Sequence, residues 1–134
     1  MLTFGKSMRR PIWILAVLAL CACQRAPEAG SLLPAGIAGR WQRTSLDSIP
    51  PRQPGVARAF AAAYEGPGHI TVDLYETKAT GVAFEMTQHW REAANSVFFD
   101  KGVYFVVVKW QPMERQALRT FIREFETELG AKTH

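Results

Sequence analysis

Six consecutive residues, Val103-Tyr-Phe-Val-Val-Val108, are apolar on whichever face of a strand each would occupy. A strand of this kind belongs inside a sheet, with neighbours on both sides and cover above and below, because a solvated edge would be expected to carry charge. Val97-Phe98-Phe99 precedes it across Asp100-Lys101-Gly102, a compact turn in which glycine supplies a positive φ. The pair is therefore read as a β-hairpin whose second arm is a central strand.

The other elements follow from periodicity. Arg40-Trp41-Gln42-Arg43-Thr44 reads as a short first strand, and Ser45 to Gly55, with three prolines, as a loop. Pro51-x-x-Pro54 matches a polyproline ligand in form but is read as part of that loop. Val56, Ala59, Phe60, Ala63 and Tyr64 recur at helical spacing and predict a short amphipathic helix stopped by Gly66-Pro67-Gly68. His69 to Thr77 alternates, with Ile70, Val72 and Leu74 on one face and His69, Thr71, Asp73 and Tyr75 on the other. From Lys78 to Glu92 the residues Ala79, Val82, Ala83, Met86 and Trp90 line one side of a second helix. After Pro112, a stripe of Ala117, Leu118, Phe121, Ile122, Phe125 and Leu129 predicts a last helix stopped at Gly130.

These elements give the order β-α-β-α-β-β-α and an α+β fold, a two-layer sandwich with an antiparallel-rich sheet and helices mainly on one face. The helices after residues 77 and 110 offer one stripe each, so the face carrying Tyr75 is expected to stay partly bare. Tyr75 and His69 are then the candidate binding residues, on a surface that would meet a second copy or another protein partner. The alternative is that the proline loop and the N-terminal segment fold over it.

Charge is distributed unevenly. The 134 residues hold 16 Lys+Arg against 12 Asp+Glu, yet residues 1–22 contain Lys6, Arg9 and Arg10 and no acid, so the remainder has 13 basic residues against 12 acidic. A near-neutral remainder, with its aromatics inside apolar runs, argues against nucleic-acid binding. Behind Arg9 and Arg10 runs the apolar stretch Ile12 to Ala22, a charged start followed by a core of secretory length and too short for a bilayer span of about 20 residues. Met8-Arg9-Arg10 alone supplies a sufficient charged start, so translation from Met1 and from Met8 both fit. From Gln24 to Gly39 nine of sixteen residues are Ala, Gly or Pro, which reads as a tether spanning about 20 to 25 Å if flexible. Leu32, Leu33 and Ile37 are placed to lay its second half on the domain.

Leu20-Cys21-Ala22-Cys23 resembles the lipobox of bacterial lipoprotein precursors, with Leu three residues before and a small residue directly before the modified Cys. The resemblance implies that Cys23 becomes the first mature residue, carrying a diacylglyceryl thioether and an N-acyl chain. Cys21 fits worse, since bulky Leu20 precedes it. Two or more acyl chains anchor stably where one binds reversibly. Gln24, not Asp, follows Cys23, which in bacteria with an outer membrane implies delivery to its periplasmic side. The organisation expected is a signal peptide at 1–22, a lipid-anchored tether at 23–39, a single α+β domain at 40–130 and a tail at 131–134. The run from Tyr64-Glu-Gly through Val72-Asp-Leu-Tyr-Glu, the Val97-Phe-Phe hairpin and Tyr104-Phe-Val resemble small bacterial lipoproteins and domains of unknown function, a resemblance that transfers no activity.

With Cys21 removed and Cys23 acylated, no cysteine remains for catalysis or metal binding. Phosphate-binding loops, GxSxG, HExxH and EF-hand patterns are absent from the sequence. Glu85, His89 and Glu92 share one flank of the second helix, where two carboxylates and an imidazole could move protons or bind zinc; a solvated helix flank is the competing reading. Arg115, Arg119 and Arg123 form a row spaced by four that would suit anionic head groups, or a solvated face. Trp41, Trp90 and Trp110 follow the periods of their neighbours and are read as packing residues. The function expected is a membrane-anchored, non-enzymatic accessory or binding module with no cofactor and no metal. The alternatives are a small metal-dependent or hydrolytic envelope enzyme using Glu85, His89 and Glu92, and a carrier of an apolar ligand. Lipidation has a direct readout: labelled palmitate should enter the wild-type chain and the Cys21→Ser variant but not Cys23→Ser. Labelling that follows Cys21 instead overturns the assignment.

Overall fold

The computed structural model describes residues 27–133; Cys21, Cys23 and the leader lie outside the described residues. A short helix α1 (Ala29–Leu32) leads into strands β1 (Gly36–Ile37), β2 (Trp41–Ile49), β3 (Val56–Glu65) and β4 (His69–Thr77). Helix α2 (Thr80–His89), strands β5 (Ser96–Lys101) and β6 (Tyr104–Trp110), and helix α3 (Arg115–Ala131) complete the chain. The mixed α+β class is as expected, with six strands ordered β1-β2-β3-β4-β6-β5 and every neighbouring pair antiparallel.

β6 holds the interior position its composition demanded. Tyr104, Phe105, Val106, Val107 and Val108 are all buried. Tyr104, Val106 and Val108 join the main core with Phe121 and Phe125 of α3, whereas Phe105 and Val107 join a second cluster with Ala83 of α2. The two long helices therefore pack on opposite faces of the sheet, which corrects the expectation of helices mainly on one face of a two-layer sandwich. A strand apolar on both faces needs a helix on each, so the segment after β4 crosses to the face α3 leaves open.

The expected order β-α-β-α-β-β-α fails in two places: α1 and β1 form within the segment read as a tether, and the first expected helix is absent. Val56 to Tyr64 is not a helix; it is most of β3, paired with β2 on one side and β4 on the other. Phe60, Ala62 and Tyr64 are buried at every second position, and Ala61 and Ala63 between them are half-buried. Phe60 and Tyr64 stand four apart, a spacing that keeps two residues on one face in a strand as well as in a helix. The intervening alanines favour a helix in isolation, but two flanking strands satisfy the whole backbone of this segment and decide the outcome. The first strand also runs on to Ile49 through residues read as loop, and its outer half is mostly exposed and polar. The hairpin turn is shorter than expected: Asp100 and Lys101 belong to β5, leaving Gly102 (φ 60°) and Val103 as a two-residue turn.

The main core closes on α3. Glu114 caps the helix, its carboxylate accepting from the backbone N–H groups of Gln116 (3.1 Å) and Ala117 (2.7 Å). Ala117, Phe121, Phe125 and Leu129 are buried as the stripe required, with Leu118 and Ile122 half-buried beside them. Phe121 stands edge-on to Trp41 (5.3 Å between ring centres) and Tyr64 (5.2 Å), and stacks with Phe125 at 6.2 Å. Burial also pushes the Tyr64 phenol well above its ordinary pKa.

Residues 27–37 belong to the same core. Leu32, Leu33 and Ile37 are buried on the α3 face, so the second half of the expected tether does lie on the domain. Three side chains of the sheet hold its carbonyls: Arg58 donates to Pro27 O (2.8 Å), Tyr64 Oη to Pro34 O (2.8 Å), and the Arg43 guanidinium to Leu33 O. Arg58 is itself fixed by a two-pronged bond to Glu76, at 2.7 Å on each carboxylate oxygen, and by the face of Phe60. Phe121→Ala should lower unfolding free energy by about 3 to 5 kcal/mol in denaturant titration. A loss below about 1 kcal/mol would show that α3 does not pack on the sheet in this way.

Candidate functional site

An apolar groove lies between α2 and the loop that joins β2 to β3. Pro54 and Gln53 form one wall; Val82, Met86 and Trp90 form the other and the floor, with Glu85 and His89 alongside; the volume is about 310 Å³. The backbone sets this arrangement. Gly55 takes φ 81° and accepts a bond from Lys78 N–H (2.9 Å), which pins the loop to the start of α2. A Cβ at Gly55 would lie 2.8 Å from Val82 Cγ1, so both the close approach and the positive φ require glycine. At the other end of α2 the Trp90 N–H caps Met86 O (2.9 Å), and its ring packs on Phe105 (4.9 Å) and Tyr75 (5.7 Å).

Tyr75 is therefore half-buried beneath α2 and its following turn, not displayed on a bare face, and burial raises its pKa, with the Asp73 carboxylate adding to the effect. Asp73 in turn pairs with Lys109 at 2.9 Å. His69 shares the face of Tyr75 but stands at the opposite end of β4, about 20 Å away by strand rise, so the two expected binding residues do not form one site. The His69 Nδ1 is bonded to the Glu65 carboxylate, and the ring borders a separate hollow of about 230 Å³ with Thr71, Lys109, Trp110 and Gln111. Among the described residues, Phe84 is the large apolar side chain left exposed, at 56%.

The trio on the second helix is divided. Glu85 and His89 both border the groove and are exposed. α2 ends at His89, three residues short of Glu92, and Glu92 borders a different hollow of about 440 Å³ with Ala93, Ser96, Val97 and Phe98. Among the described residues no three His, Cys, Asp or Glu side chains are grouped so as to hold a metal ion. Arg115, Arg119 and Arg123 are all exposed on the outer side of α3. Trp41 is core, as its period indicated, while Trp90 and Trp110 are half-buried.

The walls of the groove were only half visible in the sequence. Val82, Met86 and Trp90 stood out as one helix stripe, but nothing in the spacing of Gln53 and Pro54 shows that their loop turns back over that stripe. The one signal was Gly55, a glycine directly after a proline and before a buried Val56. In comparisons with known proteins the chain matches no family, no curated protein and no solved structure.

Proposed function

We propose that the protein is an envelope lipoprotein held to a membrane through acylated Cys23, and that it acts as a non-enzymatic binding module whose groove accepts an apolar side chain of an envelope protein partner. The observation that carries the binding role is the groove itself. Pro54, Val82, Met86 and Trp90 give it an apolar lining, and Glu85, His89 and Gln53 add polar groups that can orient a bound chain. Its volume of about 310 Å³ stands at the lower limit for small-molecule pockets, roughly 300 to 1,000 Å³, and suits one aromatic ring or branched aliphatic side chain better than a whole ligand.

The anchoring role is supported by the sequence around Cys23 and by a covalent limit. Four residue steps separate Cys23 from Pro27, a reach of at most about 14 Å, and Arg58 ties Pro27 to the sheet. A lipid on Cys23 would thus hold the domain close to the bilayer, on the periplasmic side of the outer membrane where the source has one. Among the described residues no helix is long and apolar enough to cross a membrane.

A photoreactive side chain at Gln53, in intact cells, tests the binding role. It should yield an adduct with an envelope protein, and the same group at Arg123, on the far face, should not. Adducts of equal yield from both positions, or no protein adduct at Gln53, would overturn the groove as a protein-binding site; a small apolar molecule recovered from it would favour the carrier reading.

A further inference from the structure

The two edges of the sheet are finished differently. At one edge, β1 pairs with Gly36↔Gln42 and Ile37↔Trp41, the Arg43 N–H bonds Ala35 O (2.8 Å), and the rest of β2 presents exposed polar residues including Thr44, Ser45, Asp47 and Ser48. A register shift between Arg43 and Ser45 further interrupts that edge. At the other edge, β5 is a six-residue strand with three large apolar residues at its centre, Val97, Phe98 and Phe99, all half-buried. It has no proline and no bulge, and its charges are confined to Asp100 and Lys101 at one end.

The direction of its backbone groups follows from the hairpin. The Trp110 N–H donates to Asn95 O (3.0 Å), and Lys101 faces Tyr104 across the two-residue turn. In an antiparallel ladder the bonded positions alternate, so Val97, Phe99 and Lys101 turn their N–H and C=O groups toward β6. Ser96, Phe98 and Asp100 turn theirs away from the sheet. Among the described residues no backbone group bonds them there.

From this edge we infer that two copies of the chain join β5 to β5 in antiparallel register about Phe98, forming one continuous twelve-stranded sheet. An extended segment is what three alternate pairs of outward N–H and C=O groups accept. The strand's own sequence is the complement. Outward positions can bond only outward positions, which forbids the register that would overlap all six residues. Among the remaining registers, centring on Phe98 sets Val97 against Phe99 and Phe98 against Phe98, and pairs the polar Ser96 with the polar Asp100. A shift by one step toward the turn would instead set Asp100 against Phe98 and Lys101 against Val97. The Phe98-centred register also brings Lys101 of the second copy opposite Asn95, next to the hollow bordered by Glu92.

The symmetry agrees with the rest of the molecule. A two-fold axis perpendicular to the sheet leaves the α3 faces of both copies on the same side. Residues 27–37 pack on that face in each copy, so both N-terminal segments can approach one surface together. This association does not depend on the groove or on acylation of Cys23.

Sedimentation of the full chain in detergent micelles, across a concentration series, tests the inference. The wild type should show a monomer–dimer equilibrium. Ser96→Asp, which places Asp against Asp100 twice per dimer, should weaken it by about tenfold, and adding Asp100→Lys should restore it. Thermal unfolding by circular dichroism should remain cooperative in each variant, so that a lost dimer is not a lost fold. A wild type that stays monomeric throughout, or a dimer indifferent to Ser96→Asp, would overturn the proposal.

Discussion

Burial of β6 on both faces is the constraint from which the architecture follows. Five consecutive side chains, Tyr104 to Val108, leave water together, each worth about 1.5 to 3 kcal/mol for the larger ones when fully buried. Cover on one face comes from α3, whose Phe121 and Phe125 reach the main core, and on the other from α2, whose Ala83 reaches Phe105 and Val107. Because β6 must have strands on both sides as well, the hairpin enters the sheet with β6 inward against β4 and β5 at the edge. The groove arises as a consequence: α2 is short, covers β6 and Tyr75, and leaves its remaining flank for the Gly55 loop to meet.

The N-terminal segment is the second structural dependency. α3 is not the whole cover of its face of the sheet: at the β2–β3 side the N-terminal segment completes the layer. Leu32, Leu33 and Ile37 fill that position, and Arg43, Arg58 and Tyr64 hold the carbonyls of a segment too short to form much regular structure of its own. Arg58 is central to this because one guanidinium serves Glu76, Pro27 and the Phe60 face at once, and the Glu76 carboxylate holds it protonated more firmly than usual. Where the chain leaves the fold is thereby fixed to a few ångströms, and that gives the proposed anchor at Cys23 its structural consequence.

The elements with a strong period were legible. β4 alternates in sequence and in burial, the α3 stripe is buried as its spacing required, and β6 declared itself by having no polar face. β3 was not legible, because Phe60 and Tyr64 at a spacing of four satisfy both periods and alanine at Ala59, Ala61, Ala62 and Ala63 favours a helix locally. Which face each helix takes was likewise hidden: a stripe on α2 says that it packs, while the choice of face is made by the second apolar register of β6, sixteen or more residues further along the chain. Of the candidate site, the α2 wall could be read from Val82, Met86 and Trp90, but the approach of Pro54 is a tertiary event with no local signature. Glu92 was assigned to the helix by continuing a period past Trp90, where the chain turns extended (ψ 138°) and the helix ends.

Residues 27–37 and the central strands should fold as one cooperative unit around β6, and native-state hydrogen exchange tests this most directly. The Leu33 amide, bonded to Ala29 O (2.8 Å), and the Arg43 amide, bonded to Ala35 O (2.8 Å), should exchange only with global unfolding, at the same free energy as the Val106 and Val107 amides of β6. Exchange at Leu33 and Arg43 through a low-energy local opening, while β6 stays protected, would contradict the account and make the N-terminal segment a loose tether instead of part of the core.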